Sequence, residues 1–117
     1  MSPRAGISAL KAVDRVVGDG GDADDVLRAV VAALAAEPEI TWAGIEFLEA
    51  GELVLGPSAG LPDETRRRIA PIAYRGEPVG ELVVDGVGDQ SSLEDVATRI
   101  SEYVLLGWDT GGSAWEP

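Results

Sequence analysis

Ile40-Thr41-Trp42-Ala43-Gly44-Ile45-Glu46-Phe47-Leu48-Glu49, then Ala50-Gly51, then Glu52-Leu53-Val54-Leu55-Gly56 is the stretch on which the fold turns. Its first ten residues alternate in character, with Ala43, Ile45 and Phe47 on one side and Trp42, Glu46 and Leu48 on the other. A period of two belongs to a strand that lays one face on a core. Ala50-Gly51 marks a tight turn, so Glu52 to Gly56 reads as the hairpin partner, with Leu53 and Leu55 expected on the core side.

Working outward, a loop carrying Pro57, Ser58, Gly60 and Pro62 leads to an expected third strand from Arg66 to Arg75, although Thr65-Arg66-Arg67-Arg68 fits a helical turn at its start equally well. Pro71 has no N–H to give a ladder, which places this strand at an edge. Gly76-Glu77-Pro78 turns the chain into a fourth strand, Val79 to Asp85, alternating Leu82 and Val84 against Glu81, Val83 and Asp85. Upstream, Ile7, Leu10, Val13 and Val17 recur at helical spacing, predicting a helix from about Ser8 to Val17 that stops at Gly18-Asp19-Gly20-Gly21. A second helix is expected from Ala23 to Glu37, capped by Asp22 or Asp24, burying Val26, Leu27, Val30, Val31 and Leu34 and ended by Pro38. Downstream, Ser91 with Glu94 and Ser92 with Asp95 fit a capping-box start. The helix that follows carries Leu93, Val96, Ala97, Ile100, Val104 and Leu105 on one stripe and is expected to end near Gly107. The chain thus divides into an N-terminal helix and linker (1–22), a central domain (23–107) and a Trp- and Gly-containing tail (108–117).

A chain of 117 residues fits one domain, and it holds no cysteine and no histidine. That removes thiol redox chemistry, zinc or haem ligation through thiolate or imidazole, and any Ser–His–Asp triad. No metal and no cofactor are expected. The formal net charge of −12 argues against attraction to nucleic acid or anionic lipid. No apolar run reaches the ~20 residues of a membrane span, and Arg4, Lys11, Asp14 and Arg15 interrupt any leader-like segment, so a cytoplasmic protein is expected.

The hairpin Trp42 to Gly60, the triplet Ala70-Pro71-Ile72, Gly76, the run Gly80-Glu81-Leu82-Val83-Val84-Asp85 and the helix opening Leu93-Glu94-Asp95-Val96-Ala97 together resemble the GAF domain family. The resemblance spans roughly Val26 to Leu106 and implies a sensory or regulatory background without a particular ligand. The family's usual insertion between the second and third strands, which roofs its small-molecule pocket, is cut here to Pro57–Thr65. The cysteines expected of GAF-type free methionine sulfoxide reductases and bilin-binding domains are absent, as are a haem-ligating histidine and the cyclic-nucleotide signature.

Asp109-Thr110-Gly111-Gly112 superficially matches an aspartic-protease nucleus, but five residues beyond it leave no chain for a flap, and a helix C-cap explains it. Gly18 to Gly21 lacks the Lys-Ser/Thr of a phosphate loop and reads as a linker. Arg66, Arg67 and Arg68 form a basic cluster whose forks suit carboxylate or phosphate, or else balance neighbouring acids on a solvated face. Trp42, Glu46, Arg68, Tyr74, Glu81 and Asp85 are expected together on the sheet face opposite the helices, as a ligand site or as a set of cross-strand ion pairs.

The expected architecture is α+β: a four-stranded antiparallel sheet in the order 2-1-4-3 with the N- and C-terminal helices packed on one face. The expected function is that of a non-enzymatic, GAF-like sensory or regulatory module taking a small ligand or acting through its helices; the alternative is a structural or protein-interaction domain with a degenerate pocket. Two helices nearly cover a four-stranded sheet, so the first helix is expected to lack a full partner and to form a homodimer through Ile7, Leu10, Val13 and Val17, the alternative being a fold-back over the Trp108–Trp115 tail.

Overall fold

In the computed structural model residues 3–86 and 90–111 are described, with side chains from 10 to 86 and 90 to 106. The order is α1 (Pro3–Asp19), α2 (Ala23–Ala35), β1 (Ile40–Glu49), β2 (Glu52–Gly60), a 3-10 turn (Glu64–Arg66), β3 (Arg67–Tyr74), β4 (Glu77–Gly86) and α3 (Gln90–Gly111). The four strands form one antiparallel sheet in the order β2-β1-β4-β3, as the alternation and Pro71 required. Both hairpins close through two residues at positive φ, Ala50-Gly51 and Arg75-Gly76, the combination that matches strand twist.

One sheet face carries Ala43, Ile45, Phe47, Ala70, Ile72, Leu82 and Val84, all buried. Against it lie α2, over β1 and β2, and α3, over β3 and β4. Val26, Leu27, Val30, Val31 and Leu34 of α2 and Leu93, Val96, Ala97, Ile100 and Val104 of α3 complete the core. Asp22 sits at the N-cap of α2 without a side-chain capping bond. Ser91 and Ser92 lie within α3 rather than before it, because that helix starts at Gln90. It also continues past Gly107, placing Asp109-Thr110-Gly111 in a helical turn instead of a strand turn; Gly112 to Pro117 lie outside the described residues.

Two expectations are corrected. Leu53 and Leu55 do not face the core: the register pairs them with Leu48 and Glu46, on the opposite sheet face, where they are 43% and 50% exposed. Val54, opposite Phe47, points to the helix side, and a register shift between Gly44 and Glu46 then brings Ala59 onto the core. Nor does α1 lack a partner. It packs across both α2 and α3, with Val13 fully buried and Leu10 and Val17 partly buried against the same core. Arg99 of α3 pairs with Asp14 of α1. The Val13 side chain is therefore used inside the chain and offers nothing to a second copy; the side chain of Ile7 lies outside the described residues. No helix among the described residues is long and apolar enough to cross a membrane.

Candidate functional site

The face away from the helices is built in rows across the sheet. Opposite Trp42 lie Asp85 and then Arg67; opposite Gly44 lie Val83 and then Ile69; opposite Glu46 lie Glu81 and then Pro71. Strand parity follows from the pairing of Ala70 with Leu82, which sends even positions of β3 to the core side and odd positions to the open face. Arg68 therefore does not join Trp42; Arg67 takes that place. Tyr74 also leaves the predicted constellation, since it packs against the core, with the Arg75 guanidinium over its ring. Trp42, Glu46, Glu81 and Asp85 are brought together as expected. The apolar pair Ala70 and Ile72 already encodes the parity that assigns Arg67, so the sequence held a usable signal for it.

The Trp42 end of this face is closed. Asp85 is the one charged side chain fully buried among the described residues. Arg67 donates to it through two parallel bonds, Nε to Oδ1 at 2.8 Å and Nη2 to Oδ2 at 2.9 Å. The backbone N–H of Asp63 adds a third, to Oδ2 at 2.7 Å. These bonds, the guanidinium first, hold the Asp85 carboxyl below the usual carboxylate range against the opposing effect of burial, and Asp85 in turn raises Arg67. A fork-to-fork pair fixes geometry as well as charge. The guanidinium lies 5.0 Å from the Trp42 ring centroid, and the indole rests over Gly44, where a Cβ would meet ring carbon Cη2 at 2.5 Å. Trp42 is thus held between a backbone and a cation and is only 8% exposed.

The loop after β2 supplies the cover. Leu61 N–H donates to the Thr41 carbonyl at 2.8 Å, and the Asp63 side chain accepts from Thr65 N–H, winding the 3-10 turn that delivers Arg67. This short segment roofs the Asp85 corner. Trp42 and Tyr74 line no shared cavity, because they belong to opposite faces.

Next to the closed corner the face is open and mixed. Glu46 and Glu81 oppose each other directly across β1 and β4, both half-buried, and among the described residues neither has a cation within 4.0 Å. Arg67, whose charge Glu46 feels, is already committed to Asp85. Leu53, Leu55 and Ile69 are exposed on the same face.

The architecture is that of GAF-like domains. No protein-family model and no curated protein matches the sequence. Among solved structures, the GAF domain of a phosphoenolpyruvate-protein phosphotransferase from Acinetobacter is similar at TM-score 0.68 and 16% identity, over 97% of this chain and 99% of that one. A free methionine-R-sulfoxide reductase from Neisseria meningitidis, in complex with its substrate, is similar at TM-score 0.72 and 16% identity, over 95% and 96%. The fRMsr of Staphylococcus aureus, also with substrate, reaches TM-score 0.64 and 20% identity, over 82% and 93%. These likenesses, at 16–20% identity, establish the GAF-like fold. They also correct the expectation that the chain is not an enzyme: free methionine-R-sulfoxide reductases are enzymes built on this fold. The lack of cysteine and histidine narrows the chemistry open to the chain without excluding catalysis.

Proposed function

We propose that the chain is a ligand-binding module whose open sheet face takes a small amine-bearing molecule of amino-acid size. The observation that carries this reading is the Glu46–Glu81 pair: two carboxylates set opposite each other, half-buried, with no ion pair among the described residues. Like charges in direct cross-strand opposition destabilise a sheet, so an ammonium between them relieves a cost that the free protein carries. Leu53 and Leu55 beside Glu46, and Ile69 beyond Val83, supply apolar surface for the rest of the ligand. Trp42, Arg67 and Asp85 serve as the rigid wall of the site rather than as contacts that rearrange. The neighbours named as free methionine-R-sulfoxide reductases in complex with substrate lend support, since an unblocked amino acid has the required size and charge.

A thermal-shift panel tests this reading, because a ligand that binds only the native state raises apparent stability. Free amino acids, including methionine and methionine sulfoxide, are compared with their N-acetyl forms. At least one free amine is expected to raise the melting temperature while its N-acetyl form does not, and Glu46→Gln is expected to remove the effect. Chemical analysis of the recovered ligand separates turnover from binding. A panel that leaves the melting temperature unchanged, or responds equally to the acetylated forms, overturns the reading.

A further inference from the structure

We infer a second site, for a phosphate-type dianion, at the outer edge of the sheet where the 3-10 turn enters β3. A depression of about 400 Å³ lies there, lined by Thr65, Arg66, Arg67, Arg68 and Gly86. In a chain with 21 acidic and 9 basic residues, any exposed arginine has carboxylates in plentiful supply. Yet three guanidinium-bearing residues in succession line this hollow, and no carboxylate does so among the described residues.

Their existing commitments differ. Arg67 spends its fork on Asp85 and touches Glu64 only at 3.8 Å. Arg66 approaches Asp63 at 3.9 Å and keeps 59% of its side chain in solvent. Arg68 has no ion pair among the described residues. Strand parity sends Arg68 to the helix side of the edge strand and Arg67 to the open face. Arg66, at the end of the 3-10 turn, and Arg68 line the same hollow, so both can reach an anion held there while Arg67 stays with Asp85. Each presents planar donors that match phosphate oxygens, and a dianion offsets the mutual repulsion of adjacent cations better than a monoanion does. With a net charge of −12, the chain repels anions at long range, so capture here depends on close contacts.

This site stands apart from the amine site, whose test turns on Glu46, and the two can fail independently. Amide and arginine Nε resonances of 15N-labelled full chain are followed while inorganic phosphate, phenyl phosphate, acetate or chloride is added at matched ionic strength. Phosphate and phenyl phosphate are expected to give saturable shifts at Thr65 to Arg68 and Gly86, with acetate weaker and chloride silent. The double variant R66Q/R68Q, changed at exposed positions, is expected to fold with an unchanged melting profile and to bind phosphate about tenfold or more weakly. Shifts equal for chloride and phosphate, acetate binding as tightly as phosphate, or phosphate affinity unchanged in the folded double variant would each overturn the inference.

Discussion

Replacing Arg67 by alanine isolates the contact that closes the Trp42 end of the open face. The substitution leaves the Asp85 carboxylate, fully buried in the intact chain, with the Asp63 N–H as its remaining hydrogen-bond donor among the described residues. Removing one partner of a fully buried ion pair costs roughly 3–5 kcal/mol. Arg67 is itself 31% exposed, so water can enter the space it vacates, which sets the expected loss near the lower limit, about 3 kcal/mol. For a domain of this size that corresponds to a fall of roughly 12 °C in melting temperature. The pH dependence has a definite sign. Asp85 titrates lower in the folded chain than in the unfolded one, so the pair contributes fully above the ordinary carboxylate range and its contribution fades as pH drops through the depressed folded value. In Arg67→Ala, burial is no longer offset by the guanidinium and pushes the Asp85 carboxyl up. The gap between wild type and variant therefore narrows on acidification. Urea melts at neutral pH and near pH 4, combined with Asp85→Asn in a double-mutant cycle, measure the coupling, expected at about 1–3 kcal/mol. Additive effects, or a neutral-pH loss under about 0.5 kcal/mol, would refute the reasoning.

The remaining predictions probe the two faces and the helical layer. Phe47→Ala empties a fully buried position and should cost roughly 3–5 kcal/mol, whereas Leu53→Ala, on the open face, should cost under about 1 kcal/mol; equal losses in urea melts would mean the β2 register is wrong. Gly80→Ala would drive a Cβ into the Glu46 carbonyl oxygen and force β1 and β4 apart, so a drop of more than about 2 kcal/mol is expected, and a wild-type melt would contradict the observed strand contact. Val13→Asp places a carboxylate where α1 meets the core and should lower folding stability by several kcal/mol, at least about 2; a change in sedimenting mass with folding stability intact would instead mark α1 as an association surface.

The alternation around Trp42 to Leu48 and the single Pro71 were enough to order the sheet, because a strand with one buried face advertises its parity. Parity was hidden in β2, where Leu53, Val54 and Leu55 are all apolar and a register shift between Gly44 and Glu46 resets the count. The exchange of Arg68 for Arg67 arose at a junction of helical turn and strand: counting from Arg66 gives one face, counting back from Ala70 and Ile72 gives the other, and the pairing with Leu82 decides. Four members of the predicted constellation, Trp42, Glu46, Glu81 and Asp85, were legible from position alone. What sequence did not carry was commitment: Asp85 is consumed by Arg67 and the Asp63 N–H, while Glu46 and Glu81 have no ion pair among the described residues. The placement of α1 was missed for a geometric reason. Two helices do cover the sheet, but the groove between their outer surfaces receives a third, which width arguments about the sheet alone overlook.

The most direct test of the open-face account is an amide 1H–15N shift map of the wild-type chain and Glu46→Gln, recorded with the free amino acid that most raises the melting temperature and with its N-acetyl form. Shifts confined to the rows of Gly44, Glu46, Leu55, Glu81 and Val83, lost on acetylation and in Glu46→Gln, are predicted. Shifts spread over the helical layer, or indifferent to the blocked amine, would contradict it.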